Sequence, residues 1–231
     1  MDLPPLSEDA LSQLLASDPS PSELFEALAE YECQACLHED SLGPDLLSLF
    51  YSSHFFSHLL LDQICEARML TKRMPQYLLE RAPSLQNCLA LLRAVWQRKH
   101  ESVYKVLREL PWPDQLKPLI RRYDSKQPLP LSLEPLSHEF SGHFQNKTLV
   151  EVSKTYESIR PTTAAVYLGL DPAAAEQGDP ATIQNFTAYG WSWNEQEKLL
   201  RPKPIITAQD KNADMSNQLN EVMALVGNSG R

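Results

Sequence analysis

Cysteines are the first residues in this sequence whose spacing could support chemistry. Cys33 and Cys36 form a Cys-x-x-Cys pair with His38 close behind, which is half of a typical zinc site. No second pair follows, because Cys65 and Cys88 stand singly. The Cys-x-x-Cys spacing also places both thiols near one helical face, where cysteine is commonly a small buried apolar residue. We therefore expect structural thiols and no bound metal.

Histidines offer a second candidate site. His54 and His58 lie four residues apart and could share a metal, but no Glu follows His54 as a His-Glu-x-x-His site requires. Their neighbours are Phe and Leu residues typical of a core, which favours a structural role. His138 and His143 lack a nearby nucleophile, and we interpret them as solvated loop residues. These patterns predict neither an enzyme nor a cofactor.

The charge distribution argues against nucleic acid as a partner. The 231 residues include 21 Lys and Arg against 30 Asp and Glu, a net charge of -9 that would be repelled by a polyanion. Arg68 is the first Lys or Arg of the chain, and the residues before it are acidic overall. An acidic head on a mildly basic body is compatible with electrostatic pairing with neighbouring proteins and equally with a solvated acidic face.

The sequence contains no feature that predicts a membrane protein. It has no run of about eighteen apolar residues, and its acidic start differs from a signal peptide. We expect a protein of the cytoplasm and nucleus, without membrane contact, whose cysteines are thiols.

The first half of the chain has the patterns of α-helices. Ser20, Pro21 and Glu23 form a capping box with Pro in the first turn, and Pro44 follows Gly43 as a second helix start.

Two helical hairpins are predicted beyond these starts. Residues 46–61 pair with residues 62–73, and residues 84–97 pair with residues 101–110. The apolar spacing is clearest in the second hairpin, at Leu85, Leu89, Leu92, Trp96, Val103, Val106, Leu107 and Leu110. The hairpins recur within the period of tetratricopeptide or HEAT units, which is about 34 to 47 residues. Two hairpins are too few for a free-standing solenoid, so we expect them to stack on the following domain.

The last third of the chain has the pattern of a winged helix. Helical segments around Leu149 and after Pro161 are followed by a segment in the position of a recognition helix. Between Asp179 and Gly190 that segment carries no Lys or Arg, although a reader of duplex DNA needs cations for phosphates and guanine edges. A winged helix of this composition is expected to bind protein.

An interruption at Gly178 falls in the same segment. The pairs Asp171-Pro172 and Asp179-Pro180 are both good helix starts. The recognition helix is therefore either split or preceded by an inserted turn.

A β-wing is predicted near residues 191–196 and 198–202. Trp191 and Trp193 are two residues apart and would share one face of a strand, with Leu199 or Leu200 opposite them. Glutamates follow in place of the cations that a base-stacking platform needs. We expect these side chains to pack against the helices or to contact another protein, and we take all four as candidate interface residues.

The C-terminal tail carries one apolar stripe at helical spacing. The stripe consists of Met215, Leu219, Val222, Met223 and Val226. A helix of about twelve residues is marginal by itself in water, so it needs a surface to cover. Docking on its own domain is one possibility, and bundling with helices of other subunits is the one that we favour.

The order of helical hairpins, winged helix and terminal helix resembles the PCI domain shared by the proteasome lid, the COP9 signalosome and translation initiation factor three. Within that family the chain is most similar to the small subunits of the signalosome. The resemblance is carried by FYSSHFFSHLLLDQICEARMLTKRMP, VWQRKHESVYKVL with the following LPW, SKTYESIRPTTAAVYLGL and AYGWSWNEQEKLLRPKP.

The sequence patterns and the resemblance together predict a mainly α fold in five parts, of which the acidic extension and the linker depart from the family pattern. These are an acidic helical extension at residues 1–45, TPR/HEAT-like helical repeats at 46–123, a flexible linker at 124–145, a winged helix with a small β-wing at 146–206, and a tail with a C-terminal helix at 207–231. In PCI proteins the winged-helix sheets associate side by side into an arc, so the wing is expected to be an assembly edge.

The function implied is that of a non-catalytic scaffold subunit bound to other PCI subunits. The signalosome removes a ubiquitin-like modifier from cullins and so regulates cullin-RING ubiquitin ligases. Its isopeptidase uses a His-x-His zinc motif on another subunit, and this sequence contains no such motif. The alternatives are a related subunit of the proteasome lid or of initiation factor three, a nucleic-acid-binding winged helix, and a metal-dependent hydrolase.

Overall fold

The computed structural model describes residues 4–38, 41–124 and 143–205. The first two ranges form helices α1 Glu8–Ala16, α2 Pro21–Leu37, α3 Pro44–Leu60, α4 Ile64–Arg73, α5 Gln76–Arg81, α6 Pro83–Trp96 and α7 His100–Glu109, a 3-10 helix Asp114–Leu116, and α8 Lys117–Tyr123. The third range forms α9 His143–Thr155, α10 Pro161–Leu168, α11 Pro172–Gln177, α12 Pro180–Ala188, β1 Ser192–Asn194 and β2 Leu199–Arg201. The mainly α fold with a small wing is confirmed.

Local sequence determines where the helices start. The Ser20 hydroxyl accepts a hydrogen bond from the Glu23 amide at 3.3 Å, and the Glu23 carboxylate accepts one from the Ser20 amide at 2.9 Å. This reciprocal capping box confirms the predicted start of α2. Pro44 occupies the first turn of α3, where a missing N–H costs nothing.

The helices of residues 4–124 share one hydrophobic core, called the first core, and α3 is its central element. Every residue from Leu47 to Leu60 is buried, because α2, α4, α6 and α8 pack around this helix. Two of its serines bond within the helix, because the Ser53 and Ser57 hydroxyls donate to the carbonyls of Leu49 and His54, each at 2.8 Å.

Both predicted hairpins are confirmed as α3 with α4 and as α6 with α7. The acidic helices α1 and α2 bury Leu11, Leu15, Leu24 and Leu28 in the same core, so their acidic residues lie on an outer face. Trp96 departs from the predicted apolar face, since 51% of its side chain is exposed at the end of α6. Among the described residues no helix is long and apolar enough to span a bilayer.

The winged helix has a second core of its own. Ala164, Leu168, Phe186, Trp191 and Leu200 are all buried in it. The structure also answers the question at Gly178, because α11 ends there with a φ of 70° and α12 starts anew at Asp179. The recognition helix is therefore split in two.

The two cores meet at a polar junction between α7, α8 and α10. The Arg108 guanidinium donates to both carboxylate oxygens of Asp124, at 2.7 and 2.9 Å, and to the Gly169 carbonyl at 2.6 Å. It also lies 4.6 Å from the ring centre of Tyr104, whose hydroxyl donates to the Tyr167 carbonyl at 3.0 Å. The expected stacking of the repeats on the winged helix is confirmed by these contacts.

Helix α9 joins the same two parts of the molecule. Phe144 packs in the first core and Leu149 in the second. The interpretation of His143 as a solvated loop residue is wrong: it is the first residue of α9, its Nε2 is 3.1 Å from the Asp62 carboxylate, and its ring stacks on Tyr123. Residues 125–142, which include His138 and most of the predicted linker, lie outside the described residues.

Gly169 allows the closest approach at this junction, and its replacement by Ala should destabilise the fold. Its φ is 64°, and an added Cβ would lie 2.7 Å from the Tyr104 ring. Gly178 is a matched control, because its φ is 70° and nothing lies within 4 Å of an added Cβ. We expect Gly178→Ala to cost about 1 kcal/mol through backbone strain. Gly169→Ala should cost about 1–3 kcal/mol more through overpacking.

Urea unfolding followed by far-UV circular dichroism measures both free energies of unfolding. Equal losses in the two variants would show that Tyr104 moves freely and that the junction is loose.

Candidate assembly surface

The wing begins from a tryptophan that belongs to the second core. Trp191 is 2% exposed, its indole N–H donates to the Ser153 hydroxyl at 3.0 Å, and its ring stacks on Phe186 at 5.9 Å. Leu200 is fully buried in the same core. The expectation that these two side chains are available to a partner is therefore corrected, because burial in the free chain leaves them no outer face.

Trp193 and Leu199 lie in the wing itself and are half-buried. Trp193 pairs with Leu200 across the antiparallel ladder, and Asn194 pairs with Leu199. The Trp193 side chain packs against the second core, while Trp191 precedes the strand. Their role in an interface remains a prediction.

A third segment pairs with the wing on its other side. The Ile159 amide donates to the Leu200 carbonyl at 2.8 Å, and the Leu200 amide donates to the Ile159 carbonyl at 2.9 Å. β2 therefore lies between Ile159 and β1, which makes β1 the outer strand. The sequence gives one local indication of this bridge, the β-branched Ile159 directly before Arg160-Pro161.

The register shows which backbone groups face outward. Since the Leu200 amide and carbonyl point to Ile159, those of Leu199 and Arg201 point to β1 and bond to Asn194 and Ser192. The amide and carbonyl of Trp193, between those two partners, must then point away from β2. Within the described ranges no hydrogen bond engages them. They form an unpaired edge of the kind that accepts another strand.

The split recognition helix presents little positive charge. Between Asp171 and Gly190 there is no Lys or Arg, and the exposed side chains of α11 and α12 include Glu176, Gln177 and Gln184. The Asp179 carboxylate accepts from the amide and hydroxyl of Thr182, at 3.0 and 2.9 Å, and so caps α12. This surface lacks the Lys and Arg side chains that neutralise phosphates.

The other candidate residues are distributed as follows. The apolar stripe of the tail, Met215, Leu219, Val222, Met223 and Val226, lies outside the described residues. Cys33 and Cys36 are exposed, so the expectation that this pair is buried is wrong; Cys65 is also exposed, and Cys88 is buried. α2 buries Leu24, Leu28, Tyr31 and Ala35 instead, which turns the Cys-x-x-Cys pair to the outer face. In the described part of the chain no three metal-ligand side chains converge.

His54 and His58 are buried in the first core with parallel rings. Their centroids are 4.8 Å apart at an interplanar angle of 17°, and Phe25 contacts both. His58 Nδ1 lies 2.9 Å from the Gln63 side-chain oxygen, whereas neither nitrogen of His54 has a partner in the structure. Burial lowers the pKa of His54 to about 3, with smaller contributions from His58 and Arg73. The two neutral imidazole rings therefore fill space in the first core.

The comparisons with known proteins agree with this architecture. The CSN8/PSMD8/EIF3K family matches residues 45–127 and 123–212. A protein of Emericella nidulans named COP9 signalosome complex subunit 8 is 50% identical over 232 residues, which covers 100% of both chains.

The chain belongs to the CSN8/PSMD8/EIF3K family. A Dictyostelium discoideum protein, also named COP9 signalosome complex subunit 8, is 24% identical over 80% of both chains. The family match covers the helical hairpins and the winged helix together, and it extends beyond the last described residue. The resemblance to PCI proteins is thereby confirmed for this member of the CSN8/PSMD8/EIF3K family.

The buried histidine makes the stability of the fold depend on pH. The unfolded imidazole of His54 has a pKa of 6.5, and the folded one about 3. The unfolded chain therefore binds a proton that the folded chain excludes. His54 should cost no stability above pH 6.5, and the free energy of unfolding should fall by up to about 1.4 kcal/mol per pH unit between pH 6.5 and about 3.

His54→Phe should flatten that dependence while retaining the ring packing. At pH 7 we expect a change of less than about 1.5 kcal/mol, and at pH 5 the variant should be more stable than the parent. The exposed His38 supplies the control, since His38→Gln removes an imidazole that lies outside the core. Urea midpoints at pH 7, 6 and 5 measure this, and parallel profiles for parent and His54→Phe would refute it.

Proposed function

We propose that this chain is a non-catalytic scaffold subunit of the COP9 signalosome. The full-length similarity to a protein of that name supports the assignment. The structural observation that carries the role is the unpaired edge at Trp193, because an outer strand with free backbone groups can add another strand without further folding.

The proposed partners are other PCI subunits of the same complex. A neighbouring winged helix would pair a strand with β1 through the Trp193 amide and carbonyl. Cullin-RING ligases would be reached indirectly, since the complex removes a ubiquitin-like modifier from cullins through a different subunit. The chain itself would supply no catalytic group and no cofactor, and it would act in the cytoplasm and nucleus.

Binding through a strand edge is consistent with the wing's structure, in which side chains stabilise the second core and the β1 backbone is exposed. Trp191 and Leu200 stabilise the second core, so the side chains that fix the wing are inaccessible in the free chain. The backbone of β1 is left for recognition, and the half-buried Trp193 and Leu199 side chains would frame the new strand. The apolar stripe of the tail would add a helical contact to other subunits, as the family resemblance implies.

The nucleic-acid alternative has less support. A winged helix that reads duplex DNA places cations on its recognition helix, and the exposed faces of α11 and α12 have none. The split at Gly178 also shortens α12 to nine residues.

Replacing Trp193 by Pro should block assembly while leaving the domain folded. Proline lacks the N–H that points outward from β1, and an outward-facing position on an edge strand tolerates it. Trp193→Val is the matched control, because it removes the same indole and keeps the N–H. Co-purification with the neighbouring subunits should fall about tenfold or more for Pro relative to Val, as expected when at least one backbone pairing of about 1.4 kcal/mol is lost.

Far-UV circular dichroism of both variants checks that the fold is retained. If the Pro variant enters the complex as efficiently as the Val variant, strand pairing at β1 is not the mode of assembly.

A further inference from the structure

A face of the helical repeats carries exposed apolar and basic side chains together. Trp96 at the end of α6 is 51% exposed, and Met69 on α4 is 49% exposed. The Arg68 guanidinium lies 5.1 Å from the centre of the Trp96 ring and so joins the two helices. We call the exposed residues Arg68, Met69, Lys72, Arg93 and Trp96 the Trp96 surface.

Helical spacing brings these five side chains into one patch. On α4, Arg68 and Met69 lie four and three residues before Lys72, and on α6 Arg93 lies three residues before Trp96, so each set lies on one face of its helix. The cation–π contact between Arg68 and Trp96 then joins the two faces. The patch has two apolar side chains and three cations.

The three cations have no carboxylate partner among the residues that the structure describes. Arg73, on the same helix, shows the contrast, because it pairs with Glu32 of α2 at 2.9 Å. That cation stabilises the fold internally, whereas Arg68, Lys72 and Arg93 remain available to an external group.

Charge along the chain supports an acidic ligand. From residue 68 to residue 108 the sequence has nine Lys and Arg and two Asp and Glu, although the whole chain is acidic with a net charge of -9. The α4–α7 segment is therefore a basic island on an acidic protein. Such a local field attracts acidic groups at short range, while the net charge repels a long polyanion.

Tryptophan and arginine are also the residue types that dominate binding energy at protein interfaces. A face that serves solubility alone would carry charges without a large exposed indole at their centre. The Arg68 stacking restricts the Trp96 ring before a partner binds, which lowers the entropic cost of association.

We propose that the Trp96 surface docks an acidic segment of a partner protein. An apolar side chain of that segment packs against Trp96 and Met69, and its carboxylates pair with Arg68, Lys72 and Arg93. The inference goes beyond the proposed function, because the surface lies on α4 and α6 and uses none of the wing residues.

A photo-cross-linker tests this inference in the full-length chain. p-Benzoylphenylalanine replaces Trp96 in cells that normally make the protein, and mass spectrometry identifies the cross-linked peptide. We expect a peptide of another protein in which Asp and Glu outnumber Lys and Arg. The same cross-linker at Leu37, which is 79% exposed on the acidic helix α2, should not capture that peptide.

Charge reversal supplies the second arm. Lys72→Glu with Arg93→Glu should lower the cross-link yield at position 96 about tenfold or more, because it places like charges opposite the acidic segment. Both positions are exposed but lie in the last turns of α4 and α6, so unfavourable helix dipole interactions should lower the unfolding temperature by only a few degrees. If the double variant does not fold, added salt in cell extract tests the same electrostatic attraction. The cross-link yield at position 96 in the chain that retains Lys72 and Arg93 should then fall as the salt concentration rises.

The inference is overturned if position 96 gives no cross-link, or if it captures nucleic acid, a second copy of this chain, or a peptide without excess acid. A cross-link that is insensitive to charge reversal and to salt also contradicts it. Entry into the signalosome is scored separately by co-purification of neighbouring subunits. A chain that enters the complex without an acidic cross-link contradicts this inference alone.

Discussion

The Arg108 guanidinium is the group on which the arrangement of the molecule depends. It bonds Asp124 through two parallel hydrogen bonds, caps the carbonyl of Gly169, and lies against Tyr104. Asp124 is only 4% exposed in its side chain, so loss of Arg108 would leave a buried carboxylate unpaired, at a cost of about 3–5 kcal/mol. Because these contacts join α7 and α8 to α10, they orient the winged helix on the repeats.

That orientation also fixes the position of the wing, whose outer strand β1 is the proposed assembly edge. A strand edge recognises its partner through backbone groups, so its specificity depends on where the edge is held rather than on a particular side chain. β2 is fixed between β1 and Ile159, and Leu200 anchors it in the second core. His54 and His58 fill the first core, and Cys33, Cys36 and Cys65 face outward.

Local patterns predicted the helices well, since capping boxes, N-terminal prolines and apolar periodicity act within a few residues. The hairpins around α3 and α6 and the wing at Trp193 followed from them. Contacts distant in sequence could not be read this way. The spacing of Trp96 predicts a core residue, but about half of its surface is exposed in the structure. The hydrogen bond from Arg108 to the Gly169 carbonyl corresponds to no local sequence pattern. The position of β2 between β1 and Ile159 could not be predicted from the sequence either, because Ile159 pairs with Leu200 as a single-residue bridge.

Equilibrium unfolding followed by two single tryptophans shows whether Arg108 couples the two cores. One chain retains Trp112, which packs on the first core, and the other retains Trp191 in the second. If Arg108 couples the two cores, the fluorescence midpoint of each chain should coincide with the far-UV circular dichroism midpoint of the same chain, as in a cooperative two-state transition, and the two midpoints should separate once Arg108 is replaced by Met. Separate midpoints with Arg108 intact would contradict it.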